Sequence, residues 1–466
     1  MKSNSEKIVI IGAGPAGYVG AIRAAQLGAE AILIEKEEVG GVCLNVGCIP
    51  TKVLTSAAHT FTQFKRSRQF GIESEAPTLD LPQLMRTKEQ TVKRFVTGVK
   101  HLLKSSKVRT VLGIAKLIDK TAIEVTQTVG KKEKIDADKI LICTGSVPVV
   151  PDIPGIESEK TMGSTEALNI ASIPEKLLVI GAGAIGCEFA SIYRAFGSEV
   201  ILVEMLSQIL PTEDEEISKN LRRLWERRGI QIHTDSKVTK IADWKNGKKK
   251  VTVSISEGEK EFEVDKILLS VGRRPYTSHL GIEEVGIKTE KGAILVDEYM
   301  RTNIDNIYAA GDCIGGRLYA HVASMEAEIA VENSLGENKK MDYTAVPECI
   351  FTHPEVGSVG LTEKQAKEKG INVKIGRFPF IASGRALCEN EPDGMVKIIA
   401  EEKSGKIIGA HILGNRATDL ITELTLGMKM GATVDDIIQT IHPHPTLSEP
   451  IREAALKLQN RPVHIL

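Results

Sequence analysis

The chain opens with the alternation of a short apolar strand and a helix. A β-branched run over residues 7–11 leads into a glycine-rich turn, and a helical pattern then continues to Gly28. A second apolar strand follows over residues 31–34 and ends at Glu35. Continuous apolar strands separated by a helix are typical of a parallel sheet covered on both faces. The pattern therefore predicts a β–α–β unit at the start of the chain.

The turn between this first strand and helix reads Gly12-Ala13-Gly14-Pro15-Ala16-Gly17. In a dinucleotide-binding unit the first glycine permits the tight turn, the second lets the backbone approach a pyrophosphate, and the third lets helix pack on strand. Glu35 follows the last glycine by 18 residues, where an acid can accept hydrogen bonds from ribose hydroxyls. A lone glycine pattern is a weak signal, but here strand, helix and acid accompany it. The pattern predicts a nucleotide site.

The same pattern recurs 169 residues later, where Gly181, Gly183 and Gly186 stand in the turn and Glu204 ends the second strand. Each of these four residues lies at the same interval from its counterpart in the first unit. Equal spacing at every position indicates two dinucleotide sites in one chain. We expect each site to take a different nucleotide cofactor.

The stretches between and after these two units predict other elements. Residues 53–104 have a helical pattern, residues 108–138 read as hairpins, and Asn246-Gly247 is a type I′ hairpin signal. The run Lys248-Lys249-Lys250 beside that turn indicates a solvated face and not a nucleic-acid surface. From Pro347 onwards strand patterns alternate with amphipathic helices.

Composition narrows the function classes. The 60 basic and 61 acidic residues nearly cancel, so bulk charge does not favour a nucleic-acid or membrane-surface role. The sequence shows no uninterrupted apolar run of eighteen residues and no secretory or transit pattern. A length of 466 residues predicts three or four domains. We expect a cytoplasmic protein that binds neither nucleic acid nor membrane.

Two cysteines lie close together in Cys43-Leu44-Asn45-Val46-Gly47-Cys48. A four-residue spacer that contains a glycine lets the two sulfurs close into a disulfide. Pro50 indicates a helix that begins just after Cys48, and the positive end of a helix favours a thiolate. The alternative to a redox-active pair is a tight loop that carries two unrelated thiols. Seven cysteines scattered through a large chain do not form a secreted disulfide framework, so redox activity is favoured.

A proline-rich loop near the end of the chain carries two histidines, His442 and His444, and Glu449 follows His444 by five residues. A histidine in this setting is either an exposed ring or a base oriented by the carboxylate. Either histidine is a candidate for the base.

Taken together, these segments resemble the flavin-dependent pyridine nucleotide–disulfide oxidoreductases, from about residue 7 to residue 456. The resemblance implies an α/β fold with two Rossmann-like dinucleotide-binding domains, one for FAD and one for NAD, and an α+β C-terminal dimerisation domain. The implied limits are 1–147 for the FAD-binding domain, 148–274 for the NAD-binding domain, 275–345 for a central domain that completes the FAD site, and 346–466 for the interface domain. The implied cofactors are non-covalently bound FAD and NAD, with no metal, in a homodimer.

The resemblance also implies roles for individual residues. Cys43 matches the sulfur that exchanges with substrate, Cys48 the sulfur that touches the flavin, and His444 with Glu449 the acid–base pair that reaches the disulfide of the partner subunit. The residues implied for FAD are Gly12, Gly14, Gly17, Glu35, Lys52, Thr144, Gly145, Asp312 and Ala320. Those implied for the NAD side are Gly181, Gly183, Gly186, Glu188, Glu204 and Gly272. Lys52 and Glu188 match an ion pair near the reactive nitrogen of the flavin.

The choice within the family depends on the nucleotide and on the histidine loop. A carboxylate at Glu204 about 4 Å from a 2′-phosphate repels it by roughly 4 kcal/mol at an effective dielectric of about 20. No arginine follows Glu204 until Arg222, so NAD is favoured over NADP. Thr446-Leu447-Ser448-Glu449 resembles the members that oxidise the lipoyl arm of 2-oxo acid dehydrogenase complexes and of the glycine cleavage system. The implied partners are therefore lipoyl-bearing proteins, and the implied reaction is oxidation of dihydrolipoamide with NAD+.

Two other functions remain as alternatives. One is a glutathione-type disulfide reductase that uses NADPH, and the other is a non-catalytic flavoprotein that serves as a redox sensor on the same fold. The intact set of two cysteines, histidine and glutamate argues against the sensor.

Overall fold

A computed structural model describes residues 5–73, 75–127 and 130–465 of the chain. The strands, in chain order, are β1 (Lys7–Ile11), β2 (Glu30–Glu35), β3 (Arg109–Leu112), β4 (Ile114–Asp119), β5 (Ala122–Thr126), β6 (Lys132–Asp136), β7 (Lys139–Ile142), β8 (Ser146–Pro148), β9 (Thr161–Met162), β10 (Lys176–Ile180), β11 (Glu199–Val203), β12 (Gln231–His233), β13 (Lys237–Asp243), β14 (Lys249–Ile255), β15 (Gly258–Val264), β16 (Lys266–Leu269), β17 (Arg273–Pro275), β18 (Thr289–Glu290), β19 (Ala293–Ile294), β20 (Ile307–Ala309), β21 (Pro347–Ile350), β22 (Glu355–Gly360), β23 (Val373–Pro379), β24 (Met395–Glu401) and β25 (Ile407–Gly414).

The α-helices are α1 (Pro15–Gln26), α2 (Gly41–Val46), α3 (Cys48–Lys65), α4 (Leu81–Ser105), α5 (Ser164–Ala167), α6 (Ala184–Phe196), α7 (Glu215–Arg227), α8 (Ile282–Val285), α9 (Ala320–Ser334), α10 (Glu363–Glu368), α11 (Gly384–Cys388), α12 (Ala417–Lys429), α13 (Val434–Gln439) and α14 (Glu449–Leu458). Short 3₁₀ turns occur at Ser67–Phe70, Lys245–Gly247, Asp312–Ile314 and Phe380–Ala382.

Two five-stranded parallel sheets form the nucleotide-binding frames that the sequence predicted. The first has the strand order β20-β7-β1-β2-β3, and the second has the order β12-β11-β10-β16-β9. In each sheet the central strand leads directly into a glycine turn and then into a helix, α1 or α6. Ligands of such sheets bind beyond the carboxyl ends of the strands, which is where both glycine turns lie.

The remaining sheets are antiparallel. Strands β4, β5 and β6 form one three-stranded sheet, and β13, β14 and β15 form another. Near the C-terminus five strands pair in the order β21-β22-β25-β24-β23, and α12 and α14 pack on that sheet around a buried apolar core. The α/β class is confirmed, as is the α+β texture of the C-terminal region.

The described chain divides into two compact units. One consists of Met1–Val53, Pro82–Val149 and Gly272–Asp342, and the other of Leu54–Leu81, Val150–Val271 and Tyr343–Leu466. The first unit contains the parallel sheet around β1, with apolar cores on both of its faces. The second contains the parallel sheet around β10 and the C-terminal antiparallel sheet, each with its own core.

One element differs from the sequence prediction. Residues 108–138 were expected to form hairpins, and β4 to β6 do so, but β3 pairs in parallel with β2 at the edge of the first sheet. The side chains of β3 are exposed except for Val111, so its sequence lacks the continuous apolar run of the inner strands. The hairpin at Asn246-Gly247 is present, since β13 and β14 pair on either side of it and both residues have positive φ.

Candidate functional site

The first glycine turn is closed by contacts that leave no room for side chains. Gly12 has φ +99°, and a side-chain carbon there would lie 2.3 Å from the carbonyl oxygen of Cys143. A side-chain carbon at Gly17 would lie 1.7 Å from the carbonyl oxygen of Gly12, so α1 packs directly against the turn. Gly14 has open space on the same side, with no atom within 4 Å. This combination fits a pyrophosphate that approaches the backbone at Gly14.

The second turn repeats this geometry. Gly181 has φ +96° and faces the carbonyl oxygen of Ser270, which lies 2.6 Å from where a side-chain carbon would be. At Gly186 such a carbon would lie 2.0 Å from the carbonyl oxygen of Gly181, whereas at Gly183 no atom lies within 4 Å. The residues present therefore fit a second dinucleotide in the same way.

The acid that ends each second strand is buried and holds its glycine turn. Glu35 accepts hydrogen bonds from the backbone N–H of Ala13 at 2.7 Å and of Glu37 at 2.9 Å. Glu204 accepts from the N–H of Ala182 at 2.7 Å and of Leu206 at 2.9 Å. Because a carboxylate has about four acceptor positions, each acid keeps capacity for ribose hydroxyls.

The two cysteines of the C-x4-C motif lie on consecutive helices. Cys43 is half-buried in α2, and Cys48 is exposed as the first residue of α3. Both are in the thiol form in this structure. The sequence placed the helix start just after Cys48, and the structure places it at Cys48, so the positive N-terminal end of the helix lies at this residue. Such a position stabilises a thiolate.

The surroundings of the two sulfurs make them unequal. The hydrogen bond with Cys48, followed by burial and by the charge of Cys48, raises the pKa of Cys43 well above its usual range, and Lys52 acts in the opposite direction. The same two sulfurs act on Tyr18 of α1, whose pKa is raised first by burial and then by the charges of Cys43 and Cys48. Of the two sulfurs, Cys43 therefore holds its proton more tightly than an ordinary cysteine does.

A chain of polar contacts joins three distant segments of the first unit. Arg273 donates from Nε to the hydroxyl of Ser146 at 2.8 Å and from its guanidinium to the carbonyl oxygen of Ser146 at 2.7 Å. The Ser146 hydroxyl in turn donates to the Asp312 carboxylate. Burial lowers the pKa of Arg273, while Asp312 and Cys48 oppose that change. Arg273 thus brings a positive charge close to Asp312 and Cys48, which are both predicted site residues.

Other predicted FAD residues lie around this chain of contacts. Thr144 donates its hydroxyl to the carbonyl oxygen of Tyr276 at 2.6 Å, and Gly145 turns the backbone with φ +73°. Gly311, which precedes Asp312, donates its N–H to the buried carboxylate of Glu326 at 2.7 Å. Ala320 is the first residue of α9.

The residues predicted for the NAD side fall into two groups. Gly181, Gly183, Gly186 and Glu204 share one turn in the second unit. Glu188 lies on α6 of that unit, where its buried carboxylate accepts from the N–H of Phe351 at 3.0 Å. Gly272 starts the last segment of the first unit, with φ +116°, and accepts from the N–H of Val149 at 3.0 Å. The ion pair between Lys52 and Glu188 stays a prediction.

His444 and Glu449, the predicted acid–base pair, are in direct contact. The Nδ1 atom of His444 and the Oε1 atom of Glu449 lie 2.7 Å apart, and the other carboxylate oxygen of Glu449 accepts from the N–H of Thr446 at 2.8 Å. Although burial acts to raise it, the bonds from His444 and Thr446 lower the pKa of Glu449. The His444 side chain is 79% exposed. An ionised carboxylate at Nδ1 keeps the proton there, which leaves the lone pair on Nε2.

Three residues of these contacts were not predicted from the sequence. Arg273 was recognised only as part of a domain boundary, and Ser146 only as the residue after the Thr144-Gly145 turn. Tyr18 gave no signal, since an aromatic residue on a helix next to a glycine is most often a core residue. The position of each depends on pairing between distant segments, which no local pattern encodes.

Other features of the sequence have structural explanations. The lysine run is neutralised locally, because Lys248 pairs with Glu175 and Asp265, Lys249 with Asp243, and Lys250 with Glu261. Across residues 5–73, 75–127 and 130–465, no group of three or more His, Cys, Asp or Glu side chains is arranged to hold a metal ion. Among the helices of that part of the chain, none has the length and apolar character needed to cross a membrane.

Known proteins resemble this chain over nearly its whole length. Residues 6–327 match the family described as pyridine nucleotide-disulphide oxidoreductase, and residues 346–455 match the dimerisation domain of that family. A dihydrolipoyl dehydrogenase from Bacillus subtilis (strain 168) is 42% identical over 461 residues, which cover 98% of this chain and 97% of the relative.

Two solved structures have a similar fold. LpdA from Mycobacterium tuberculosis has a TM-score of 0.90 at 28% identity and covers 97% of this chain and 99% of its own. The HOCl-induced flavoprotein disulfide reductase RclA from Escherichia coli has a TM-score of 0.85 at 31% identity and covers 98% of this chain and 99% of its own.

Proposed function

The chain belongs to the pyridine nucleotide-disulphide oxidoreductase family, and we propose that it is a dihydrolipoyl dehydrogenase, which oxidises protein-bound dihydrolipoamide to lipoamide with NAD+. Its cofactors are FAD and NAD. The observation that carries the proposal is the hydrogen-bonded pair Cys43 and Cys48, in a chain 42% identical to a dihydrolipoyl dehydrogenase over 461 residues.

The catalytic role of His444 is to remove a proton from the substrate. A thiol with a pKa near 8.5 is only about 3% thiolate at pH 7, so a base within reach raises the reactive fraction. Glu449 holds the proton on Nδ1 and leaves Nε2 to accept one from the substrate. The ion pair that then forms is stabilised by the same carboxylate.

The oxidised form of the sulfur pair receives two electrons by thiol–disulfide exchange. The substrate thiolate attacks Cys43 and forms a mixed disulfide, and the Cys43–Cys48 bond breaks to release Cys48 as a thiolate. The second substrate thiol then attacks the substrate sulfur of the mixed disulfide and expels Cys43. Lipoamide leaves with its own disulfide, and the protein pair is reduced by two electrons.

FAD, when bound, would supply the two-electron carrier between the reduced sulfurs and NAD+. The first glycine turn with Glu35 supports its adenosine diphosphate part, and Lys52, Thr144, Gly145, Asp312 and Ala320 support the rest. The second turn with Glu188, Glu204 and Gly272 supports NAD. Glu204 is buried and already accepts two backbone hydrogen bonds, so its charge opposes a 2′-phosphate.

We propose a homodimer formed through residues 346–466, in which His444 of one subunit serves the sulfur pair of the other. The match of residues 346–455 to a dimerisation domain supports this assembly. The physiological substrates are the lipoyl-bearing proteins of 2-oxo acid dehydrogenase complexes or of the glycine cleavage system, in the cytoplasm. The four-part division at residues 147, 274 and 345 belongs to the same proposal.

A direct test uses purified protein whose bound flavin has been identified. Dihydrolipoamide is compared with reduced glutathione as the donor, and NAD+ with NADP+ as the acceptor. We expect turnover with dihydrolipoamide and NAD+ only. Equal rates with NADP+ contradict the role of Glu204, and a preference for glutathione replaces the proposed substrate with the glutathione-type alternative. A flavoprotein that turns over neither donor is the redox sensor.

A further inference from the structure

We infer that His442 is a positioning residue for His444, a charged anchor that fixes the catalytic loop to α12, and not an alternative base. This inference rests on the proposed function, because it concerns the loop that presents the acid–base group. It decides between the two histidines that the sequence left as candidates.

Both ring nitrogens of His442 are occupied. Nε2 lies 2.9 Å from the Oε1 atom of Glu423 on α12, and Nδ1 lies 3.0 Å from the carbonyl oxygen of Thr440. A carboxylate and a carbonyl group only accept hydrogen bonds, so both ring nitrogens donate and the ring is an imidazolium. The side chain is 4% exposed. A ring with no free lone pair and no access to solvent is unable to take a proton from a substrate.

The charges around His442 agree with this protonation state. The hydrogen bond with Glu423 raises the pKa of His442, while burial and Arg452 on α14 act in the opposite direction. Glu423 on α12 and Arg452 on α14 are the charged side chains that act on the ring from the packed helices. Arg452 is engaged elsewhere, since its Nε donates to the carbonyl oxygen of Ile438 at 3.0 Å.

His444 has the opposite character. Its ring is exposed, and among the described residues only Glu449 bonds it, through Nδ1. One residue, Pro443, separates it from His442 along the chain. The two histidines of this loop therefore differ in role. The ring of His442 is fixed by hydrogen bonds, whereas the ring of His444 is exposed to a substrate.

The attachment of the loop shows why the held ring matters. The loop runs from Gln439, the end of α13, to Glu449, the start of α14. Thr446 donates its hydroxyl to the carbonyl oxygen of Pro443 at 2.7 Å, which ties the loop to itself. His442 ties it to α12 through Glu423. Since a misplacement of about 1 Å can slow a reaction about 100-fold, loss of this tie affects the base even though the base is intact.

The test replaces one hydrogen bond at a time in the holoenzyme. His442→Gln places a donor near Nε2 and keeps the bond to Glu423, whereas His442→Asn places a donor near Nδ1 and keeps the bond to Thr440. His442→Ala removes both, and Glu423→Gln removes the charge of the partner. The matched control is His464→Ala, because His464 also pairs with a glutamate, Glu453, at 3.0 Å, but its side chain is 66% exposed.

Two half-reactions separate positioning from folding. Reduction of the bound flavin by dihydrolipoamide needs His444, whereas its reduction by NADH takes no proton from a thiol. We expect His442→Ala and His442→Asn to slow the first reaction about 10- to 100-fold and to leave the second unchanged. We expect His442→Gln to recover most of the rate and His464→Ala to match the wild type. Equal slowing of both reactions, or a full rate in His442→Ala, overturns the inference.

Nitrogen-15 spectra of labelled histidines give a second readout that needs no substrate. We expect both ring nitrogens of His442 to carry protons at pH 7, and the His444→Gln variant separates its signals from those of His444. A neutral His442 ring at pH 7 refutes the charged anchor. If the wild-type protein fails to oxidise dihydrolipoamide, the proposed function falls, and the spectra and the NADH reaction still decide the state of His442.

Discussion

Cys43 and Cys48 are the same residue type, but their positions give them different chemistry. Cys43 lies inside a short helix and holds its proton tightly, whereas Cys48 starts a long helix and is exposed. The first sulfur is accordingly suited to attack by a substrate, and the second to ionise first when the pair is reduced. The two roles are proposals that come from the family resemblance, and the unlike backbone settings of the two sulfurs support them.

Replacing the cysteines one at a time tests these roles. Anaerobic reduction by two electrons should produce a long-wavelength absorbance band from the Cys48 thiolate beside the flavin. We expect Cys48→Ala to lose this band and Cys43→Ala to keep it, as read in a titration of the holoenzyme. A band of wild-type intensity in Cys48→Ala contradicts the assignment.

Glu213 is a buried carboxyl group that should weaken the fold at high pH. Burial, followed by the nearby charge of Glu348, raises the pKa of Glu213 to about 8 from its ordinary 4.5. One of its oxygens accepts from Ser358 at 3.1 Å, and the other has no hydrogen-bond partner among the described residues. Since the folded state binds this proton more tightly, stability falls as pH rises from about 4.5 to about 8, by roughly 1.4 kcal/mol per unit.

The substitution Glu213→Gln removes this dependence. We expect it to raise the thermal midpoint of unfolding at pH 8 and to have little effect at pH 5. Glu257→Gln, at an exposed position in the turn between β14 and β15, serves as the control. A shift of the same size at both pH values shows that Glu213 is ionised in the folded state.

At this scale the sequence predicted chemistry better than contacts. The acids at Glu35 and Glu204, the sulfur pair and the His444–Glu449 pair were all predicted, since each belongs to a local pattern or to the family resemblance. The contacts of Arg273 with Ser146 were not, because these residues lie 127 positions apart. Nor did any pattern reveal that both acids bind the backbone of their own turns.

At the scale of elements, the two glycine turns allow a matched comparison. Gly183 and Gly186 lie in one turn, but a methyl group at Gly183 meets no atom within 4 Å, and one at Gly186 lies 2.0 Å from a carbonyl oxygen. A substitution at Gly183 should therefore affect only the binding of the nucleotide, whereas a substitution at Gly186 should disturb the packing of α6 on β10.

We therefore expect Gly183→Ala to fold normally, to keep its flavin and to raise the KM for NAD+ about tenfold or more. We expect Gly186→Ala to lose stability by about 3 kcal/mol or more, because a buried clash with backbone forces the helix to move. Thermal unfolding and steady-state kinetics on the two variants decide the matter. Equal losses of stability contradict the division of roles.

The element predictions succeeded where the apolar pattern was continuous. β1, β2, β10 and β11 are buried on both faces, and the glycine turns mark their ends. β3 was assigned to a hairpin because its exposed residues resemble an antiparallel strand, and its parallel pairing with β2 is decided by contacts far along the chain. Edge strands of this kind carry little sequence signal.

At the scale of the whole molecule, two large apolar side chains are exposed at the C-terminal end of α12. Leu426 and Met430, one helical turn apart at the end of α12, are 61% and 78% exposed. Both lie within the region that matches a dimerisation domain. Since large apolar side chains at this spacing are typical of association surfaces, we expect both to lie at the interface of the proposed homodimer.

The double substitution Leu426→Glu, Met430→Glu tests that assignment. We expect the mass in solution to fall by half, flavin to remain bound, and turnover of dihydrolipoamide to fall at least 100-fold, because His444 then lacks the sulfur pair of a partner. Val150→Glu is the control and should remain dimeric, since Val150 is 62% exposed but lies outside residues 346–455, which match the dimerisation domain. A dimer with normal turnover in the double variant moves the interface elsewhere.

In both nucleotide turns, the acid at the end of the second strand accepts a hydrogen bond from the backbone N–H that follows the first glycine. Each turn is thus stabilised by a hydrogen bond within the chain itself, and its shape does not depend on which flavin or nicotinamide ring the nucleotide carries. Cofactor analogues that differ only in this ring should therefore bind without a rearrangement of either turn. The protein accordingly lends itself to refitting with synthetic flavins of chosen potential.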